Sequence, residues 1–218
     1  MKIDLHVHTS EVSLCGHLTA RQTVQSYKEA GYDCLVITNH FNTYTCNHYK
    51  NNGEDDFFRF YHDAYLLAKE EGEKLGLTVL NGYEIRFDGA DSDYLVYGMS
   101  DATAARCTEL FKMSPREFSE LAKAEGFLFY QAHPFRNDMR ITNPAYLFGI
   151  EIKNGNERHD NRNDVAAIWA EKFGLHKIGG SDCHQPMDVG KSGIITDREI
   201  RSTDDLLAVL RADDYTII

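Results

Sequence analysis

Asp4-Leu5-His6-Val7-His8, at the start of the chain, and Gly180-Ser181-Asp182-Cys183-His184, towards its end, decide how the 218 residues are to be read. Each places two potential ligands two residues apart. In a β-strand residues i and i+2 point to the same side, so His6 and His8 aim two imidazoles into one space, and Asp182 and His184 do the same from a distant strand. Between them His40, Glu84 and His133 each close a short apolar run. A lone histidine after a strand is ordinarily a hydrogen-bonded core residue. Convergence of all these positions at the ends of apolar runs reads instead as one metal site. Imidazole and carboxylate suit zinc, manganese or iron, and a shared carboxylate can bridge two ions.

The surrounding pattern supplies the scaffold. Seven apolar runs, 3–7, 34–38, 77–80, 94–97, 127–131, 148–152 and 177–180, are separated in several places by helical stretches. Thr19 caps a helix that reaches Ala30 and stops at Gly31. Ser114-Pro115-Arg116-Glu117 is a capping box with proline at the first helical position, and its helix ends at Gly126. Phe58, Tyr61, Tyr65 and Leu66 mark a helix over 55–75, and two more are expected over 163–173 and 203–210. Strands alternating with helices imply right-handed crossovers and a mainly parallel sheet, and nearly continuous apolar strands fit one covered on both faces. The ligands follow the runs, where α/β barrels carry their chemistry. The expectation is an α/β fold, a closed or nearly closed barrel of seven strands, forming one domain over residues 1–218.

Composition bounds the function. Hydrophobic content of 42% and charged content of 26% are ordinary for a globular chain. No apolar run approaches the roughly 20 residues of a membrane span, and Met1-Lys2-Ile3-Asp4 leads straight into a strand, so a cytoplasmic protein without membrane contact is expected. A formal charge of −11 argues against stable nucleic-acid binding, which needs clustered Lys and Arg. A small phosphorylated partner remains compatible, because bound divalent ions reverse the local field. The five cysteines, Cys15, Cys34, Cys46, Cys107 and Cys183, form no C-x-x-C pair and are expected as reduced thiols.

In order along the chain, Asp4-Leu5-His6-Val7-His8-Thr9, Ile37-Thr38-Asn39-His40, Gly82-Tyr83-Glu84, Ala132-His133-Pro134 and Gly180-Ser181-Asp182-Cys183-His184 resemble the motifs of the polymerase-and-histidinol-phosphatase (PHP) superfamily. The resemblance implies a distorted seven-stranded, TIM-like α/β barrel and a metal-dependent phosphoesterase. It further implies two to three divalent transition-metal ions, zinc, manganese or iron. One would be held by His6, His8, Glu84 and Asp182, with Glu84 bridging to a second that also takes His133. A third would take His40, His184 and a histidine from the loop after the first strand, for which His17 is the candidate. Asn39 stands where the family usually has aspartate, and Ser100 where many three-metal members have a further histidine.

Such a cluster activates a water and stabilises the charge of phosphoryl displacement. Proton transfer is open to His184, to Asp182 or to the activated water. Arg136, three residues beyond His133, is placed either to fork onto a phosphate or to form a surface salt bridge. Glu151 is expected to support a ligand rather than be one. His48, His62, His159 and His176 are expected at surface or packing positions, and Tyr44 and Tyr49 in a polar loop. The favoured function is hydrolysis of a small phosphomonoester. An amidohydrolase-type carbon–nitrogen hydrolase and a non-catalytic, metal-stabilised binding module are the alternatives.

Overall fold

A computed structural model describes residues 1–218. The elements in chain order are β1 (Lys2–Val7), α1 (Ala20–Glu29), β2 (Cys34–Ile37), β3 (His40–Phe41), α2 (Thr43–Asn51), α3 (Phe57–Leu75), β4 (Thr78–Arg86) and β5 (Asp93–Tyr97). There follow α4 (Asp101–Ala104), α5 (Cys107–Leu110), α6 (Pro115–Glu125), β6 (Leu128–Gln131), β7 (Gly149–Asn154), α7 (Asn163–Phe173), β8 (His176–Gly180), β9 (Ile194–Ile195), α8 (Thr203–Ala212) and β10 (Thr216–Ile217). The seven expected runs correspond to the seven longer strands, and the helix signals act where they were read. Thr19 and Gln22 close a capping box on α1, Ser114 and Glu117 close another on α6, and Gly126 ends α6 in the left-handed region at φ 81°.

The sheet runs β10-β9-β1-β2-β4-β5-β6-β7-β8, with β3 beside β4. It nearly closes, because an isolated parallel bridge joins Val7 at the end of β1 to Cys183 beyond β8. His8 N donates to Cys183 O at 3.0 Å across that seam, and Cys183 N returns to His6 O at 3.3 Å. Gly180 permits the approach: a Cβ there would lie 2.4 Å from His6 Cβ. Asp4 reinforces it from the same strand, accepting from Ser181 N at 3.0 Å, His6 N at 3.1 Å and the Tyr27 hydroxyl at 2.7 Å.

Among the seven longer strands, strict strand–helix alternation breaks in two places. β5 is antiparallel to both β4 and β6, joined to β4 by a hairpin loop rather than a crossover. β6 and β7 are parallel, but residues 132–148 connect them without an α-helix. The chain segment freed from helix carries His133 and Arg136. The expected polar loop around Tyr44 and Tyr49 is also helical: Asn42 caps α2, and the Tyr49 hydroxyl donates to Glu11 O at 2.7 Å, tying this helix to the loop after β1. Buried hydrophobics pack in three clusters. One is rich in aromatic rings, among them Phe41, Tyr61 and Phe118; a second joins the strands to Leu206 and Leu210 of α8, and a third packs α1 on β2. No helix is long and apolar enough to cross a membrane.

Candidate metal centre

His6, His8, Glu84, His133 and Asp182 meet, buried, at the mouth where the strand ends converge, with His40 and His184 beside them. Three overlapping groups have ligand atoms within 4.8 Å of one another: His6, His8 and Asp182; His6, Glu84 and His133; and His8, His40 and His184. Glu84 is the hub. Its Oε1 lies 3.0 Å from His133 Nε2 and 3.2 Å from His6 Nε2, and its Oε2 lies 3.2 Å from His40 Nε2 and 3.5 Å from His8 Nε2. Asp182 Oδ1 faces His6 Nε2 at 3.5 Å and His8 Nε2 at 3.4 Å.

The strand register that was to deliver these residues holds for His6 and His8. Elsewhere the delivery differs. Glu84 does not close a strand but sits within β4, and His40 opens β3 opposite it. His133 and Asp182, each soon after a strand, take left-handed backbone conformations at φ 28° and 50°. Such residues cost on the order of 1–3 kcal/mol each and persist where their surroundings impose them. Here the turn out of the strand directs the side chain inward.

Three of the imidazoles are oriented from behind. His6 Nδ1 faces Glu151 Oε1 at 3.0 Å, and Glu151 Oε2 accepts from His133 N and from Asn154 Nδ2, both at 2.9 Å. His8 Nδ1 meets Ser13 Oγ at 2.9 Å, and Ser13 Oγ donates to Asn39 Oδ1 at 3.0 Å. Asn39 therefore supports His8 through a hydroxyl, using an amide where the resembled family has a carboxylate. His184 Nδ1 is held 3.0 Å from Asp182 O. With Nδ1 engaged, His6 and His8 present Nε2 to the centre, and these two buried nitrogens have no hydrogen-bond partner. A buried polar atom without a partner is costly. Two of them converging on the same two carboxylates fit metal ligation, in which the far ring nitrogen is bonded and the near one bare.

The electrostatics favour ionised carboxylates at the centre. Burial opposes ionisation of Glu84, yet His6 and the bonded rings of His133 and His40 hold it well below the usual carboxylate range. Burial also opposes ionisation of Asp182, and His6, His184 and His8 reverse the effect. Burial, with His184 and His40 nearby, keeps the His8 imidazole well below its ordinary range and hence neutral. For His6 burial acts in the same direction, but Glu151, Asp182 and Glu84 outweigh it and raise the group. Burial raises the Cys15 thiol less than its hydrogen bonds to His184 and His40 lower it, to about 6.

Arg136 is neither free for a full fork nor a surface salt bridge. Its Nη2 donates to Asp182 Oδ2 at 2.6 Å and Asn154 Oδ1 at 3.1 Å, and its Nε to Asn161 Oδ1 at 2.8 Å, leaving Nη1 as the uncommitted donor. His17 is not brought to the centre. Its ring is exposed, because its backbone N is pinned to His184 O at 2.7 Å on the way to α1. Cys15 stands near the centre instead, with Sγ 3.9 Å from His40 Nδ1. Ser100 caps α4, bonding Thr103 N, and lies away from the cluster. Asp93 was not anticipated; its Oδ2 lies 4.0 Å from His133 Nε2 while both its oxygens hold Arg86 at 2.6 and 2.5 Å. His48, His62 and His176 lie outside the cluster, whereas exposed His159 reaches its rim.

Above the ligands is a cavity of about 280 Å³, bordered by Arg86, Arg136, Arg158 and His159 as well as by Glu84, His133, Asp182 and His184. A second, of about 520 Å³, shares Cys15, His40, Arg86 and Asp93 with it and extends over Tyr44 of α2 and Phe87.

A family model described as PHP domain matches residues 4–181, and another, described as PHP-associated, matches residues 160–215. No curated protein matches the chain. Among solved structures, it is similar to a two-domain protein of Bacteroides vulgatus containing a predicted PHP-like metal-dependent phosphoesterase, at 23% identity and a TM-score of 0.73 over 100% of this chain and 64% of that one. The chain thus spans less than two thirds of that protein. PsfC of Pseudomonas syringae is similar at 16% identity and a TM-score of 0.67, over 94% of this chain and 87% of that one. An amidohydrolase of Chromobacterium violaceum, with bound sulfate and no metal, is similar at 17% identity and a TM-score of 0.59, over 100% and 98%.

Proposed function

The chain belongs to the PHP domain family, and from that premise we propose that it is a metal-dependent phosphoesterase acting on a small phosphomonoester. The observation that carries this is the pair of bare, buried Nε2 atoms of His6 and His8, facing the ionised Glu84 and Asp182 beneath a cavity with three arginines on its border. His6, His8, Glu84 and Asp182 would hold one divalent ion, Glu84 and His133 a second, and His40 with His184 a third. When bound, such ions supply Lewis acidity and an activated water for attack at phosphorus.

The chain's own groups do the rest. Asp182, kept ionised, serves as ligand and counter-charge, so it is a poor proton donor. Arg136 fixes the Asp182 carboxylate and offers Nη1 to a phosphate oxygen; Arg86 and Arg158, each paired with an aspartate, add positive field without competing for the ions. The adjoining cavity, with Tyr44 and Phe87 on its wall, accommodates the organic part of a small ester.

Metal analysis with hydrolysis of phosphomonoester, phosphodiester and amide panels tests the reading. At least two ions per chain are expected, with monoester turnover lost in Asp182→Ala and His8→Ala while both melt cooperatively. Turnover of amides alone would favour the carbon–nitrogen hydrolase, and tight metal binding without any turnover the binding module. Near wild-type monoester rates in both variants would overturn the catalytic assignment.

A further inference from the structure

The loop after β1 places a thiol, not an imidazole, beside the His40–His184 end of the cluster. The backbone makes this specific: Ser13 N donates to Thr9 O at 3.0 Å and Gly16 N to Ser13 O at 2.7 Å, so the loop folds back and carries the exposed Cys15 to the rim beside His40. Sγ stands 3.9 Å from His40 Nδ1. Ligands of one tetrahedral ion, at about 2.3 Å for sulfur and about 2.0 Å for nitrogen, lie at comparable separations from each other. The remaining nitrogens are already engaged as ligating histidines require: His40 Nε2 faces Glu84 Oε2 at 3.2 Å, and His184 Nδ1 faces Asp182 O at 3.0 Å, which leaves Nε2 as its ligand atom. The buried His8 ring stacks on His184 at 4.0 Å, forms one group of ligand atoms with His40 and His184, a group that does not include Cys15, and keeps its bare Nε2.

We propose that Cys15 is a thiolate ligand, with His40 Nδ1 and His184 Nε2, of a distinct metal position, and that this position selects zinc over manganese. The proposal rests on the reading of this site as a metal centre, but not on phosphate hydrolysis. Thiolate is a soft donor that favours zinc, whereas the positions around Glu84 and Asp182 are built of imidazole and carboxylate alone. Cys15 is also the single exposed cysteine of the chain; Cys34, Cys46, Cys107 and Cys183 are buried. Its reactivity therefore reports on this position.

The test needs no substrate. The full chain, stripped of metal and reloaded with cobalt(II), should show near-ultraviolet thiolate-to-cobalt charge-transfer absorption. Cys15→Ser should lose that band and bind cobalt elsewhere, while His17→Ala should keep it. Zinc should abolish the band at concentrations at which manganese leaves it intact. Alkylation of Cys15 by iodoacetamide, followed by mass spectrometry, should slow about tenfold in zinc at ten times its Kd, since a ligated thiolate is withdrawn by mass action. Cobalt bound without the band, or a band that survives Cys15→Ser, overturns the thiolate assignment while the metal centre stands. A chain that binds no cobalt overturns both.

Discussion

Arg136→Ala should weaken the fold and the chemistry together, because its guanidinium holds a buried carboxylate of the metal centre. The Arg136 side chain is 14% exposed and that of Asp182 2%, with 2.6 Å between Nη2 and Oδ2. Breaking a buried pair from one side costs about 3–5 kcal/mol when the remaining charge is left alone. Asp182 is not left alone: His184 Nδ1 lies at 3.3 Å and Asn154 Nδ2 at 3.3 Å. The loss should therefore be nearer the value of one hydrogen bond to a charged group, about 1.5–3 kcal/mol, with about 1 kcal/mol more for Asn161 Oδ1, which also loses its donor. Urea denaturation reads this directly; at a slope of about 2–3 kcal/mol/M the midpoint should fall by about 1 M. Arg136→Lys keeps the charge but not the simultaneous bonds to Asp182, Asn154 and Asn161, so about half the loss should remain.

Kinetics separate the two jobs given to this side chain. If Nη1 meets the substrate phosphate, KM rises and kcat/KM falls about ten- to a hundredfold. If the effect runs through Asp182, kcat and metal content fall together, and a double-mutant cycle with Asp182→Asn shows coupling of about 1.5–3 kcal/mol. An unchanged urea midpoint with unchanged kcat/KM in Arg136→Ala would refute the reasoning.

Other expectations follow from single contacts. Gly180→Ala places a Cβ 2.4 Å from His6 Cβ and 3.1 Å from Glu151 Oε1, so it should cost about 2–3 kcal/mol and weaken metal binding; a neutral melt and full metal content would show that the seam gives way freely. Asp4→Ala strands three donors, His6 N, Ser181 N and the Tyr27 hydroxyl, and should cost about 3–6 kcal/mol, whereas Asp4→Asn keeps an acceptor for both backbone groups and should cost about 1 kcal/mol; equal melts for the two variants would reject the seam assignment. Chelation should lower Tm by about 5–10 °C, because ions at a hundred times their Kd contribute about 2.7 kcal/mol; a Tm indifferent to chelator would count against resident ions.

What the sequence made legible follows from burial. Strands covered on both faces need continuous apolar residues, so the seven longer strands stand out, and α1 and α6 announce themselves by capping boxes. Elements whose order comes from tertiary contact do not. β3, β9 and β10 have two residues each, too few for any period. The α2 sequence, Thr-Tyr-Thr-Cys-Asn-His-Tyr-Lys-Asn, has little apolar stripe and is secured by the Asn42 cap and the Tyr49 anchor. β4 runs on through Asn81-Gly82, a pair that ordinarily signals a turn. A Cβ at Gly82 would come within 2.9 Å of Val36 Cγ1, so that glycine serves close packing against β2 rather than a change of direction.

The candidate site divides the same way. His6, His8, Glu84, His133, Asp182, His40 and His184 were legible because imidazole and carboxylate declare their chemistry in the residue type. The parts that aim them were not. No pattern marks the left-handed turns at His133 and Asp182, and Ser13 becomes a support for His8 only because the loop after β1 doubles back. That fold-back also decides between Cys15 and His17. By residue type alone histidine is the better candidate, two positions further along; but the bond from His17 N to His184 O holds that peptide at the rim and leaves its ring in solvent, while the preceding turn faces Cys15 towards His40. A ligand is selected by where the backbone points its Cβ, and in this loop the hydrogen bonds set that direction.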